Sequence, residues 1–276
     1  MRSYYRLSGG GNDFLALVGP SEDPAADEIR SVCSRGLSAG ADGLFVLERT
    51  AAGARMRYFN ADGRAAELCL NGTRCAVRLA HHLQWATESL TIETGAGPIV
   101  GRAVGTSEVA LHLPRPEPPR VHDLGENGRE LPGWFVTVGV PHFVLPWFET
   151  LTQAPVSELG AVLCHHREWG HKGSNIDFVR FIDPHRFEIR TYERGVEAET
   201  LACGTGVMAA TAVGLAQGEL DLPVRALTLG GFELEVDAVS EDNGEDQWSL
   251  AGDARLIAEG TLHPGAFDLP PEPQWS

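Results

Sequence analysis

The chain contains one passage twice, and this repeat limits its fold more than any other feature. The first copy runs Phe59-Asn60-Ala61-Asp62-Gly63-Arg64-Ala65-Ala66-Glu67-Leu68-Cys69-Leu70-Asn71-Gly72. The second runs Tyr192-Glu193-Arg194-Gly195-Val196-Glu197-Ala198-Glu199-Thr200-Leu201-Ala202-Cys203-Gly204-Thr205-Gly206. Each reads as strand, aromatic residue, polar loop, Glu, Cys-x-[Asn/Thr]-Gly and buried helix. The two cysteines stand 134 residues apart, at 69 and 203. Self-similarity at that spacing points to one domain duplicated.

The patterning around the repeat fills in each half. Alternation of apolar and polar residues predicts strands at Arg55–Phe59, Ser89–Thr94 and Val109–Leu113, then at Trp134–Val138, Asn175–Phe181, Arg186–Tyr192, Ala226–Leu229 and Phe232–Val236. Leu229-Gly230-Gly231-Phe232 is a hairpin turn signal. Asn71–Leu83 carries Cys75, Ala76, Leu79, Ala80 and Leu83 on a helical stripe, and Gly204–Ala216 is small or apolar all round, as a buried helix is. Pro114-Arg115-Pro116-Glu117-Pro118-Pro119, with four prolines in six residues, reads as a linker. The tail from Asp268 to Ser276 is also proline-rich and is expected to fray.

The expected fold is therefore α/β (α+β): two pseudo-symmetric domains, each a mostly antiparallel sheet or barrel wrapped around a central buried helix. The active site is expected in the cleft between them. Residues 1–118 would form the first domain, with about 263–276 packing back onto it, and 119–262 the second.

Each repeated cysteine sits just before a helix. Helix N-termini present N–H groups and a partial positive charge, which should favour a thiolate, lower its pKa toward neutrality and attract carboxylates. Two such thiols flanking one carbon could remove a proton from one face and deliver one to the other, inverting the centre. Cys33, Cys75 and Cys164 read instead as inert packing, the usual fate of a buried cysteine. Thiol redox chemistry would favour two neighbouring cysteines in one motif.

Composition excludes several classes. With 22 Lys and Arg against 38 Asp and Glu, the net charge is −16. Such a chain repels nucleic acid and anionic membranes. The N-terminus, MRSYYRLSGGGNDF, lacks the apolar core of a secretory signal, and five scattered cysteines suit a reducing cytoplasm. The adjacent pairs His81-His82 and His165-His166 are not natural chelates and read as exposed or capping residues. There is no signature of a metal, pyridoxal phosphate or nicotinamide cofactor.

At this point the motifs resemble a known family. Gly9-Gly10-Gly11-Asn12-Asp13-Phe14, Gly40-Ala41-Asp42-Gly43-Leu44, Phe59-Asn60-Ala61-Asp62-Gly63 and Cys69-Leu70-Asn71-Gly72-Thr73-Arg74-Cys75 come first. Gly139-Val140-Pro141-His142, Gly173-Ser174-Asn175-Ile176-Asp177-Phe178 and Tyr192–Gly195 through Cys203–Gly206 follow. Together they resemble the diaminopimelate epimerases, cofactor-independent enzymes of lysine and peptidoglycan precursor biosynthesis. The resemblance implies interconversion of LL- and meso-2,6-diaminopimelate, a zwitterionic small-molecule substrate, and leaves a homodimer open. Cys69 and Cys203 would be the acid/base thiols, with His142 and Glu193 orienting or polarising them. Asn71 and the N–H groups of Gly204 and Thr205 would hold the α-carboxylate, with Leu70 beside it. Asn12, Asn60, Asn175, Glu193 and Arg194 would bind the substrate's amino and carboxylate groups.

Three positions depart from the family pattern. Leu70 replaces a usual Gly, where a positive φ would strain it; Val140 replaces a common Asn; Ser8 replaces a frequent His. A racemase of another amino acid on the same fold, or an inactive amino-acid-binding relative, remain as alternatives.

Overall fold

The computed structural model describes residues 2–19, 22–126, 129–240 and 246–269. The fold is mixed α+β and mostly sheet, with four α-helices among the described residues. The chain divides into two compact units. One holds the residues up to Val109 and those from Ala254 on; the other is Ala110–Asp253.

In the first unit β1 (Arg2–Gly9) and β2 (Asn12–Val18) form an antiparallel hairpin. Helix α1 (Ala26–Cys33) carries the chain over, so that β3 (Gly43–Thr50) lies parallel to β2. β4 (Gly53–Asn60) returns against β3, and the stub β5 (Ala65–Ala66) pairs with its end. Helix α2 (Leu70–His82) makes the next crossover, after which β6 (Ser89–Thr94) runs parallel to β4 and β7 (Gly97–Val104) turns back on β6.

β8 (Glu108–Pro114) carries the chain into the second unit, and β9 (Arg120–Glu126) follows there. There the same series recurs. β10 (Arg129–Val138) and β11 (Val140–Pro146) form the hairpin. α3 (Val156–Cys164) leads to β12 (Asn175–Asp183), parallel to β11. β13 (Arg186–Glu193) returns antiparallel, β14 (Ala198–Thr200) is the stub, and α4 (Gly204–Gln217) is the crossover to β15 (Val224–Thr228), parallel to β13. β16 (Glu233–Ser240) turns back, joined through Gly230-Gly231, and β17 (Asp246–Asp253) follows. β18 (Arg255–Leu262) then pairs with β1 in the first unit.

Each unit buries a helix. α2 packs against β1, β2, β4, β6, β7 and β18, and α4 against β10, β11, β12, β13 and β16. α4 can be enclosed because Val207, Met208, Ala209, Ala210 and Val213 leave no polar face. It stops at Gly218, whose left-handed φ of +74° suits glycine. The sequence reading placed one helix in each unit, but each unit has a second. α1 and α3 have eight and nine residues, too few for a clear periodic signal. α3 covers the outer face of the β11–β12–β13 sheet. It approaches through Gly160, where a Cβ would come within 2.6 Å of the Tyr192 Cβ.

The Pro114–Pro119 segment lies in the second unit. Residues 115–119 line a hollow of about 550 Å³ with Ala212, Leu215, Ala216 and Trp248, and Arg115 stands over the Trp248 ring at 5.8 Å. Ala266 and Phe267 pack on the core of the first unit. The remainder of the proline-rich tail, from residue 270, lies outside the described residues. Among the described residues no helix is long and apolar enough to cross a membrane.

Candidate active site

In the first unit the stub β5 delivers Cys69 to the N-cap of α2, with extended backbone (φ −143°, ψ 102°). Its Sγ accepts the Gly72 N–H at 3.4 Å, so the thiol does meet the amide-rich helix start. Leu70 is the first helical residue and is buried. Positive φ at non-glycine residues occurs among the described residues at Gln84 and Glu197, so the strain considered for Leu70 does not arise.

A chain of side-chain hydrogen bonds runs through Asn12 and Asn71. Arg35 donates to Asp42 at 2.6 Å, and Asn12 Nδ2 donates to Asp42 at 3.1 Å. Asn71 Nδ2 donates to Asn12 Oδ1 at 2.7 Å, and the fully buried Arg74 donates to Asn71 Oδ1 at 2.6 Å. Both amides are thereby fixed in orientation. Asp13 braces the start of the chain through Arg6 and Arg35. Burial pulls its pKa up, but these guanidinium groups outweigh it and hold the carboxyl below its ordinary value. Asp13, Asp42, Arg35 and Arg74 had no assigned role in the sequence reading. Asn60 is exposed at the end of β4, opposite Gly43 and outside this chain of bonds.

In the second unit the pleat sorts the strand residues. Phe143, Leu145, Ile176, Phe178 and Tyr192 enter the core beneath α3. The alternate residues His142, Asn175, Asp177, Thr191 and Glu193 therefore face the other way, toward the first turn of α4. Register brings them together: His142 is opposite Asn175, and Asp177 opposite Thr191. His142 Nδ1 lies 2.7 Å from Asp177 Oδ2, with both side chains fully buried. Thr191 donates to Asp177 Oδ1 at 2.8 Å. The Asn175 amide nitrogen lies 3.3 Å from His142 Nε2, and Asn175 Oδ1 accepts the Arg194 N–H at 2.8 Å. This network is satisfied when His142 carries its proton on Nδ1. Asp177 is a further residue to which the sequence reading gave no role, although the Asn175-x-Asp177 spacing puts both on one strand face.

Cys203 is the N-cap of α4 and is buried. Its Sγ lies 3.4 Å from the Thr205 hydroxyl. The expected lowering of this thiol's pKa is not found. Burial first, then the carboxylates of Glu193 and Asp177, push it well above its ordinary value; the Thr205 hydroxyl and the Gly206 amide pull down and lose. A helix terminus carries about half a charge, whereas desolvation and two nearby carboxylates act together against the thiolate. Glu193 is itself raised by burial, against the opposing effects of its 2.6 Å bond from Thr200 and of His142.

Glu193 ends β13 and is bonded by Thr200, while Arg194 begins the following turn, and the two form no surface pair. The Arg194 guanidinium donates to the Lys172 carbonyl at 2.7 Å instead. Gly204 and Thr205 open α4, so their N–H groups belong to its uncapped first turn. The structure thus gathers Asn12, Cys69, Leu70 and Asn71 in one unit. In the other it gathers His142, Asn175, Glu193, Arg194, Cys203, Gly204 and Thr205.

Comparison with known proteins agrees with this architecture. The diaminopimelate epimerase family profile matches residues 4–109 and 134–257. The diaminopimelate epimerase of Aquifex aeolicus is 36% identical over 94% of this chain and 97% of its own length. That of Chlorobaculum tepidum is 34% identical over 93% and 99%. Two solved structures share the fold at low identity. A phenazine biosynthesis protein of the PhzF family from Enterococcus faecalis has a TM-score of 0.71 at 18% identity, covering 95% of this chain and 99% of that one. A probable proline racemase from Agrobacterium radiobacter has a TM-score of 0.71 at 15% identity, covering 97% and 96%. With its profile match across both units and relatives aligned over nearly their whole length, the chain belongs to the diaminopimelate epimerase family.

Proposed function

We propose that this protein interconverts LL- and meso-2,6-diaminopimelate, with Cys69 and Cys203 as the two acid/base thiols. Family membership supports the substrate. The observation that carries the mechanism is the thiol at the N-cap of the buried helix in each unit.

The α-proton of an amino acid is a very weak acid, so the protein must supply positioned bases and electrostatic support for the carbanion. Asn71 and the first-turn N–H groups of α4 at Gly204 and Thr205 hold the α-carboxylate, where negative charge builds. Asn12, Asn60, Asn175 and Arg194 bind the remaining amino and carboxylate groups, with Leu70 beside the reacting centre. Arg194 would engage a carboxylate through its planar fork.

Cys203, held as a neutral thiol, is the proton donor in one direction. In the other it must first give its proton to Glu193, whose raised pKa makes it the better acceptor. His142, fixed by Asp177 and Asn175, orients and polarises the groups around Cys203. The reaction as proposed uses no cofactor. Thiols in these roles must stay reduced, which supports a cytoplasmic enzyme. Assembly as a homodimer belongs to the same proposal and is read by light scattering at assay concentration.

The deciding experiment incubates the protein in heavy water with LL-diaminopimelate, meso-diaminopimelate and single amino acids, and follows α-deuterium by NMR. Exchange and inversion with diaminopimelate alone is the expected result. Exchange with a single amino acid would favour a racemase, and no exchange with any of them an inactive binder.

A further inference from the structure

We propose that Cys164, His165 and Glu197, none of which belongs to the catalytic set, bind a divalent cation of the zinc class. Cys164 closes α3 and His165 is its C-cap, while Glu197 lies on the turn between β13 and β14. The Sγ, an imidazole nitrogen and a carboxylate oxygen all lie within 4.8 Å of one another.

Around a tetrahedral zinc, bonds of about 2.3 Å to sulfur and about 2.0–2.2 Å to nitrogen or oxygen place two ligands about 3.4–3.7 Å apart. From separations of up to 4.8 Å the ligand atoms must close by about 1 Å, a contraction that side-chain torsions can provide. His165 and Glu197 are more than 40% exposed and can supply it, whereas the sulfur is fixed behind them in the core. Without metal, His165 Nε2 and Glu197 Oε2 share a hydrogen bond at 2.7 Å, and the Gly195 N–H holds Glu197 Oε1 at 2.8 Å.

Charge fits as well as geometry. A thiolate, a carboxylate and a neutral imidazole carry two negative charges, which one dication cancels. Burial, and next Glu197, push the Cys164 thiol up to about 11. A dication turns that repulsion into attraction, and the thiol proton leaves to solvent as the metal–sulfur bond forms. Three protein ligands leave a fourth tetrahedral position for water. On this reading Cys164 is not inert packing, and His165 chelates with its neighbours in space rather than with His166.

The test titrates the full-length protein with Zn²⁺ against a chromogenic chelator and with Co²⁺ by absorption. The wild-type protein should bind one more Zn²⁺ per chain than Cys164→Ala. Its sulfur-to-cobalt charge-transfer band should persist in Cys69→Ser and Cys203→Ser and vanish in Cys164→Ala. Glu197→Gln, which keeps the length of an exposed side chain and an acceptor for the Gly195 N–H, should weaken Zn²⁺ binding by more than the roughly 10–100-fold typical of losing an outer-shell partner. Should Cys164→Ala fail to fold by circular dichroism, Glu197→Gln and His165→Gln decide alone. Unchanged Zn²⁺ affinity in both of these, a cobalt–thiolate band that survives Cys164→Ala, or no Zn²⁺ bound by the wild type would overturn the proposal.

Discussion

Asp177 is wholly buried, and a carboxylate is tolerated there only where donors surround it. Its donors are the His142 ring and the Thr191 hydroxyl, so the same contacts that satisfy Asp177 also fix the imidazole. Asp177→Asn keeps the shape but can offer its amide hydrogens to Nδ1, driving the proton to Nε2 and leaving the wrong tautomer. The expected outcome is a folded protein whose kcat falls by roughly 10²–10⁴ with a displaced pH profile; an unchanged kcat would remove Asp177 from the mechanism. Glu193 gives the second test at this scale. Its carboxylate disfavours the Cys203 thiolate, so removing the charge in Glu193→Gln should lower the Cys203 pKa. In a Cys69→Ser background the pH midpoint of Cys203 alkylation should move down. In the protein with Cys69 intact, Glu193→Gln should nonetheless slow turnover, because the thiol proton has lost its acceptor.

The two units repeat one order of elements but not one chemistry. β2 meets β3 at Phe14 and Gly43, where β11 meets β12 at His142 and Asn175. The first unit fills that corner with the Phe14 and Tyr58 rings, 6.0 Å apart, whereas the second fills it with titratable groups. This asymmetry could not be read from the Cys-x-[Asn/Thr]-Gly repeat, because it lies in cross-strand partners distant in sequence. The two central helices, eight of the eighteen described strands and both N-cap cysteines were legible in local patterning, whereas strands such as β1, β2, β3 and β11 were not named. The depth of Cys203 was not legible, because desolvation depends on everything packed around the sulfur. Helix α4 gives the test at this scale. Alanine in a helix ordinarily gains about 0.5–1 kcal/mol over glycine. At Gly206 a Cβ would stand 2.4 Å from Asp177 Oδ1 and 3.1 Å from Thr191 Oγ1. Gly206→Ala should therefore lower the melting temperature and kcat together, and a gain in stability without loss of rate would refute the close packing.

Over the whole molecule the buried thiols set an alkaline limit. Burial, followed by Asp13, pushes Cys33 up to about 12 from an ordinary 9.0, and Cys164 is raised to about 11. In metal-free protein above pH 9 the unfolded chain releases these protons while the folded chain keeps them, so unfolding gains as pH rises. Stability should be complete below about pH 9 and fall toward pH 11 by up to about 1.4 kcal/mol per unit for each thiol. Urea unfolding at pH 8, 9 and 10 reads the slope, and Cys33→Ala should flatten it. The proposed two-thiol chemistry makes a different demand, because inversion uses both thiols where each half-reaction uses one. Cys69→Ser or Cys203→Ser removes one base, and a serine hydroxyl at neutral pH is far less acidic than a thiol and cannot replace it. Epimerisation should fall by several orders of magnitude in either variant. Elimination of a leaving group from a β-substituted diaminopimelate analogue requires only the base on the face bearing the proton. Each variant should therefore still eliminate from one stereoisomer, and the two should choose opposite isomers. Loss of elimination from both isomers in both variants would mean that the thiols act only together. Epimerisation near the wild-type rate in both would mean that neither is the base.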